Sequence, residues 1–332
     1  MSTDRELALL SVVAPVYQEE ATIDRFCGAV GEALAGLPYE LVLVDDGSSD
    51  GTPSRLEQLA AQDPRIKTVL LSRNFGHQAA ITAGLDHASG NVAVTLDSDL
   101  QDPPSLIPTL IDRWRAGADV VYAVRRRRDG ESGFKLRSAR LFYRLFRLLT
   151  SVELPPESGD FRLLDRDALD ALLAMRERSR FLRGMSIWVG FTQDSVPYDR
   201  DARYAGMTKF TLARMLRFSL DAIASFSYRP LQLATALGFV ISGVAFIAIP
   251  VVIVLKLTGN YLYGFSTVEI TMLLLGGIQL ITIGMVGEYV GRIFDEVKGR
   301  PLYLVRSRQN FDVAAEPASP YEDEAADFDA ER

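Results

Sequence analysis

The chain has 332 residues, 48% of them hydrophobic and 24% charged, which is enough for one large or two ordinary domains with a real core. Its single cysteine, Cys27, excludes an internal disulfide framework and suits a reducing compartment; two histidines, His77 and His87, are too few for a histidine-based metal centre, so any metal is expected on oxygen. The net charge of −7 belongs to the end of the chain: residues 310–332 hold eight acidic residues and one arginine, so positions 1–309 balance, and the acidic tail "EPASPYEDEAADFDAER" reads as disordered.

The start, "MSTDRELALLSVVAPVY", lacks the basic end, apolar core and small-residue cleavage site of a signal peptide. From residue 9 to 125, apolar strand-like runs alternate with segments of helical spacing. Strands are expected at 9–14, 40–44, 66–71, 92–96 and 120–124, and helices at 21–35, 52–61, 76–88 and 105–115. This alternation predicts an α/β domain built on a mostly parallel, Rossmann-like sheet covered by helices. Ligands of such sheets bind beyond the carboxyl ends of the strands, and the polar motifs fall there. "APVYQEE" follows the first strand, "DDGSSDGT" the second, "SRNFGHQ" the third, "DSDLQDPP" the fourth and "RRRRDG" the fifth. No GxGxxG or GxxxxGK[ST] loop is present, so a diphosphate bound here needs a metal and basic side chains.

Along an extended backbone Asp97 and Asp99 point the same way and Ser98 the other. Two carboxylates on one side of a strand end suit Mg²⁺ or Mn²⁺, which prefer oxygen and share their shell with substrate phosphate. Asp102, just before Pro103 and Pro104, is expected to cap the next helix. In "VLVDDGSSDGT" two readings stand side by side: a tight turn with Asp50 capping the following helix, or carboxylates accepting from a nucleobase or ribose.

Arg125, at the end of the fifth strand, is placed to meet a phosphate. Beyond it, "FKLRSARLFYRLFRLL" sets Lys135, Arg137, Arg140, Arg144 and Arg147 among Phe, Leu and Tyr, the pattern of a basic helix lying on an anionic membrane surface. In "SRFLRGM", Arg180 and Arg183 either meet phosphate or hold the loop by ion pairs. A juxtamembrane amphipathic helix is expected over 209–230. Residues 231–255 and 270–287 carry no charge, and each run is long enough to cross a hydrocarbon core of roughly 30 Å. Two transmembrane helices, about 231–257 and 267–290, therefore form a hairpin after a catalytic domain spanning 1–208. Lys209, Arg214, Arg217 and Arg229 before the first span, and Arg292, Lys298, Arg300, Arg306 and Arg308 after the second, put both termini in the cytoplasm. A basic segment with a short strand, 292–309, precedes the tail.

Taken in order, "APVYQEE", "VDDGSSDGT", "SRNFGHQAA", "LDSDLQDPP", "GDFRLLDR", "RFLRGM" and "RYAGMTKF", followed by two apolar spans, resemble the family 2 glycosyltransferases that act on polyprenyl phosphate. That group includes dolichol-phosphate mannose synthase and the bacterial bactoprenol glucosyltransferases, and the resemblance covers roughly residues 9–305. It implies a GT-A fold, a nucleotide-sugar donor, Mg²⁺ or Mn²⁺, and inversion at the anomeric carbon. Carried over by position, Pro15, Tyr17 and Glu19 line the nucleoside pocket and Asp46 meets the base or ribose. Asp97 and Asp99 are the metal ligands with Ser98 between them, and Gln101 completes the shell in some members. Arg203 and Lys209 close over the phosphates, and Asp160 stands where a catalytic base has been discussed. Gln18 departs from an Asn common among relatives.

The acceptor's chemistry argues for a different role for Asp160. A phosphate monoester has its second pKa near roughly 6, so it is already ionised and nucleophilic at neutral pH. Asp160 is then expected to orient the acceptor or a neighbouring arginine, with base catalysis secondary. The expected partners are a nucleotide sugar, UDP-glucose first, a polyprenyl phosphate and membrane lipid. UDP-galactose, an N-acetylhexosamine, a modified arabinose and GDP-mannose stay open. Nucleic acid is not expected as a partner. A homo-oligomer, plausibly a tetramer, follows from the resemblance, with "RPLYLVRSRQNF" as a contact. The rivals are a processive polysaccharide synthase, disfavoured by two spans and by the lack of a Q-x-x-R-W-like stretch, and an inactive scaffold.

Overall fold

A computed structural model describes residues 5–125, 158–199, 229–258 and 265–311. The calls on 126–157, on 200–228 and on the tail beyond 311 lie outside these residues, and with them Arg137, Arg140, Arg144, Arg203 and Lys209.

The first half alternates as its periodicity dictates. β1 (Leu10–Val16), β2 (Tyr39–Asp45), β3 (Ile66–Leu71) and β4 (Val92–Thr95) are apolar runs buried on both faces, apart from Lys67. That pattern is the mark of a parallel sheet sandwiched between helices. Between them come α1 (Ile23–Ala33), α2 (Thr52–Gln62) and α3 (His77–Asp86). α1 buries only Ile23, Phe26 and Val30, one stripe on the sheet, whereas α3 packs six consecutive residues, Ala80 to Leu85, inside. Gly84 makes that approach possible, since a Cβ there would sit 2.3 Å from Val13 Cγ1. After β4, a short 3₁₀ turn (Pro104–Leu106) leads into α4 (Ile107–Arg115) and then β5 (Val120–Arg125).

The later elements are β6 (Ser158–Asp165), α5 (Arg166–Ala174), α6 (Leu182–Trp188) and β7 (Gln193–Tyr198). Two long helices follow, α7 (Arg229–Leu257) and α8 (Phe265–Val297), and then β8 (Val305–Gln309). The eight strands lie in the order β7-β5-β6-β4-β1-β2-β3-β8. β1 pairs parallel with both β2 and β4, β2 with β3, and β5 with β7; β6 runs antiparallel to β4 and β5, and β8 antiparallel to β3. The sheet is thus mostly parallel, with its topological switch between β1 and β4.

β6 wedges between β4 and β5, which brings the "GDFRLLDR" motif beside "DSDLQDPP". Phe161 and Leu163 face one core, and Leu164 faces the other. α8 contains one stretch, Leu274–Val297, long and apolar enough to cross a membrane; α7 contains a shorter apolar one, Gly238–Ala248.

Candidate active site

The site is assembled where β1 and β4 diverge. Leu96 N donates to Val13 O at 3.0 Å and Ser98 Oγ to Pro15 O at 2.9 Å, so the loop after β4 is laced onto the end of β1. Ser98 is buried in this role, while Asp97 and Asp99 stay half-buried on the cleft side. Leu100 turns the chain with φ 57°, and Gln101, itself buried, sends its backbone N–H to Asp99 Oδ1 at 3.1 Å.

Asp102 does not cap the next helix. Pro103, with an extended backbone, precedes the 3₁₀ turn and no side chain caps it. The turn at Leu100 buries Asp102 instead, where the Tyr198 hydroxyl donates to its Oδ1 at 2.5 Å and Arg125 Nη2 lies 3.6 Å from Oδ2. The pull of those partners at the ends of β5 and β7 outweighs the sequence-local N-cap. Asp50 does take the role expected of it, accepting from Thr52 N at 3.1 Å.

Asp160, on β6, is the most heavily held carboxylate in the cleft. Arg183, on α6, grips it with Nε and Nη2, both at 2.9 Å; Gln78 Nε2 and His77 Nε2 each lie 3.4 Å from Oδ2. Burial pushes this carboxyl up, but the Arg183 charge and the His77 and Arg183 hydrogen bonds outweigh it and hold its pKa well below the usual range. Asp97 is the opposite case. Its Oδ1 is buried with no hydrogen-bond partner, and desolvation, opposed by His77 and helped by Asp160, Asp102 and Asp99, raises its pKa to about 6. His77 Nε2 lies between the two, 3.5 Å from Asp97 Oδ1. Burial pulls the imidazole pKa down, yet the Asp160 hydrogen bond and the two carboxylate charges leave it raised.

Beneath Asp160, the fully buried Arg162 donates to Gly159 O (2.8 Å), Leu182 O (3.2 Å) and Ser186 Oγ, fixing α6 to β6. Desolvation lowers its pKa to about 10.

At the end of β1, Tyr17 is exposed, Gln18 (φ 55°) ties the β1 loop to Ser48 and Ser49, and the Glu19 carboxylate accepts from Thr22 Oγ1. Asp46 is buried and accepts from Phe75 N (2.7 Å) and Gly76 N (3.0 Å), so its carboxylate shapes the β3–α3 loop. Arg180 bonds the carbonyls of Met175 and Leu172. Asp97, Asp99, Asp160 and Arg183 therefore share one cleft, while Pro15 and Ser98 build its floor.

His77, Gln78 and Tyr198 were not singled out in sequence. The "SRNFGHQ" motif placed the first two at a strand end, but no local spacing shows that they reach across to β6.

The profile described as "Glycosyl transferase family 2" matches residues 11–173. The "Uncharacterized glycosyltransferase YkcC" of Bacillus subtilis is 46% identical over 89% of this chain and 93% of its own length. The chain belongs to glycosyl transferase family 2. A "SfII prophage-derived bactoprenol glucosyl transferase" of Shigella flexneri is 40% identical over 90% of this chain and 97% of its own. Among solved structures, glucosyl-3-phosphoglycerate synthase from Mycobacterium tuberculosis, determined with Mn²⁺ and UDP-glucose, is 23% identical over 65% of this chain and 77% of that one, at a TM-score of 0.45. For this glycosyltransferase that is a likeness of fold and nothing further.

Proposed function

We propose that this glycosyltransferase moves a single hexose from a nucleotide sugar, UDP-glucose first, to polyprenyl phosphate, with inversion and with Mg²⁺ or Mn²⁺, at the cytoplasmic face of the membrane. The observation that carries the reading is the contrast inside one cleft: Asp97 has a buried oxygen with no hydrogen bond and only His77 near it at 3.5 Å, while Asp160 is held ionised by Arg183. Similarity to proteins named bactoprenol glucosyl transferases over nine-tenths of the chain supports the acceptor class.

No group of three or more metal-ligating side chains is assembled among the described residues. The donor set still fits a hard cation, because such ions commonly take one or two carboxylates and complete their shell with substrate phosphate and water. Asp97 and Asp99 would hold it, with Gln101 nearby. Bound there, it would neutralise charge developing on the departing nucleoside diphosphate. Asp160 keeps Arg183 in one orientation beside the acceptor phosphate, which needs no base to become nucleophilic. Pro15, Tyr17, Glu19 and Asp46 frame the nucleoside side; Arg125, Arg203 and Lys209 meet phosphates, and Arg137, Arg140 and Arg144 meet the membrane. α7 and α8 span the bilayer as a pair with both chain ends inside, and copies of the chain assemble as an oligomer.

The test is to incubate the membrane-embedded protein with Mn²⁺, polyprenyl phosphate and a panel of nucleotide sugars. A lipid-linked monosaccharide from UDP-glucose is expected. A product only from GDP-mannose or a UDP-N-acetylhexosamine would move the donor assignment, and a long polymer would make the protein a processive synthase. Asp99→Ala should lower metal-dependent turnover by about 10³-fold, equal to loss of roughly 4 kcal/mol of transition-state stabilisation. Unchanged turnover would overturn the metal assignment.

A further inference from the structure

The junction between the catalytic domain and α8 contains an open cleft of about 630 Å³. Its walls come from the β3–α3 loop (Arg73), the start of α3 (His77), the loop before α6 (Arg178, Arg180), and the charged end of α8 (Glu288, Arg292). Four arginines thus line it, against Glu288 and Asp295, and Glu288 is already paired to Arg292 at 3.0 Å one helical turn away.

Arg180 is the group that calls for a guest. It is only 8% exposed, its Nη atoms bond backbone carbonyls, its Nε is buried with no partner, and no carboxylate of the described residues forms an ion pair with it. Asp86 and Glu177 act on it only through space, and a buried guanidinium N–H with no acceptor is costly until one arrives, which an anion supplies best. The other cations are held in place around it. Arg73 stacks on Phe75 at 4.0 Å and donates to Asn74 O at 2.9 Å. Arg178 is tied to the end of α8 by its backbone N to Glu296 Oε1 and to the segment just beyond it by its Nη1 to Arg300 O, both at 2.8 Å.

The cleft also faces two ways. On its inner side His77 reaches Asp97 and Asp160 at 3.5 and 3.4 Å, so it borders the reaction centre. On its outer side, the α8 residues that line it, Glu288, Arg292 and Asp295, form the charged last turns of the Leu274–Val297 stretch, whose remainder is apolar and long enough to enter a membrane. A ligand matched to both sides has a dianionic head and an apolar tail, and a phosphate monoester carries about −1.5 to −2 at neutral pH.

We infer that this cleft is the receiving site for the phosphate of the lipid acceptor, held by Arg73, Arg178, Arg180 and Arg292 beside the reaction centre before transfer. The inference rests on the proposed acceptor class and adds where that acceptor docks.

The experiment uses the full chain in phosphatidylcholine nanodiscs, as wild type and as Arg178→Gln/Arg292→Gln, with thermal unfolding followed for both. Binding of polyprenyl phosphate is measured without donor, and KM values for acceptor and donor with it. The double variant should weaken polyprenyl phosphate binding and raise the acceptor KM about tenfold or more, with the donor KM within about twofold. Arg→Lys at both positions should recover part of the loss. Inorganic phosphate should compete with the acceptor on wild type and much less on the variant, and neutral polyprenol should not distinguish them. Unchanged acceptor binding, an equal rise in donor KM, or equal weakening toward polyprenol would overturn the site. A variant that loses only its response to added phosphatidylglycerol would make the cleft a general anionic-lipid site and also overturn it. If wild type bound no polyprenyl phosphate and glycosylated none, the proposed function itself would fall.

Discussion

Two sites built on carboxylates sit at opposite ends of the same sheet and are built in opposite ways. At the amino ends, Glu40 is buried and fully partnered: it accepts from Ser11 Oγ (2.5 Å), Ser89 N (2.7 Å), Ser89 Oγ (2.6 Å) and Lys67 Nζ (2.6 Å). Gly90 lets the chain close over it, because a Cβ there would come within 2.5 Å of Leu9 O. At the carboxyl ends, Asp97 keeps an oxygen with no hydrogen bond, and its pKa rises to about 6, while Glu40, although burial opposes it, is pulled below its ordinary value by Lys67, Ser11 and Ser89. A carboxylate with every lone pair matched is part of the fold; one left short of donors at a strand end is waiting for a ligand.

The sharpest way to break this comparison is inside the functional end. Asp160→Asn removes the anion that Arg183 grips, and turnover should fall about 100-fold, with the donor KM little changed. Because Asp160 is ionised far below neutrality, it adds no titration of its own between pH 6 and 9, and its loss should only move the breaks set by His77 and Asp97 to lower pH, since Asp160 raises both. Recovery at raised pH would instead make Asp160 the base.

At the other end the prediction is about stability. Glu40→Gln should leave kcat and KM unchanged and remove roughly 3 kcal/mol, since Lys67 is left beside a neutral partner in a mostly buried setting. The folded-state pKa of Glu40 is depressed from 4.5, so its contribution is present above that value and lost as pH falls through the folded one. Chemical unfolding in detergent should therefore show wild type losing more stability than the variant as pH drops below about 4.5. An equal loss would detach the cluster from folding.

The parallel half of the sheet was legible because its strands are short apolar runs and its polar motifs sit at one end of each. The site was only partly legible. Asp97 and Asp99 could be paired from their spacing. Asp102 was misassigned because Pro103 and Pro104 fit a capping pattern, and the competing partners, Tyr198 and Arg125, lie 96 and 23 positions away in sequence. β6 mixes Asp160, Arg162 and Asp165 with apolar residues, so its periodicity hides a central strand. His77 could be placed at a strand end, but its reach to both Asp97 and Asp160 depends on β6 entering between β4 and β5.

The smallest expected effect tests whether the loop after β4 belongs to the fold or to the site. Tyr198→Phe deletes the hydroxyl that donates to Asp102 at 2.5 Å, while Arg125 stays 3.6 Å from the other oxygen. Losing one hydrogen bond to a buried, charged acceptor should lower stability by about 1–2 kcal/mol. Outer partners that bond a metal ligand directly alter metal affinity by about 10–100-fold, and Tyr198 acts one step further out, on Asp102 rather than on Asp97 or Asp99. The Mn²⁺ concentration for half-maximal turnover should then rise by only about threefold. A stability loss with no change in metal requirement would show that Asp102 anchors the sheet and leaves the Asp97–Asp99 pair untouched; a rise beyond about tenfold would place Tyr198 and Asp102 inside the metal site itself.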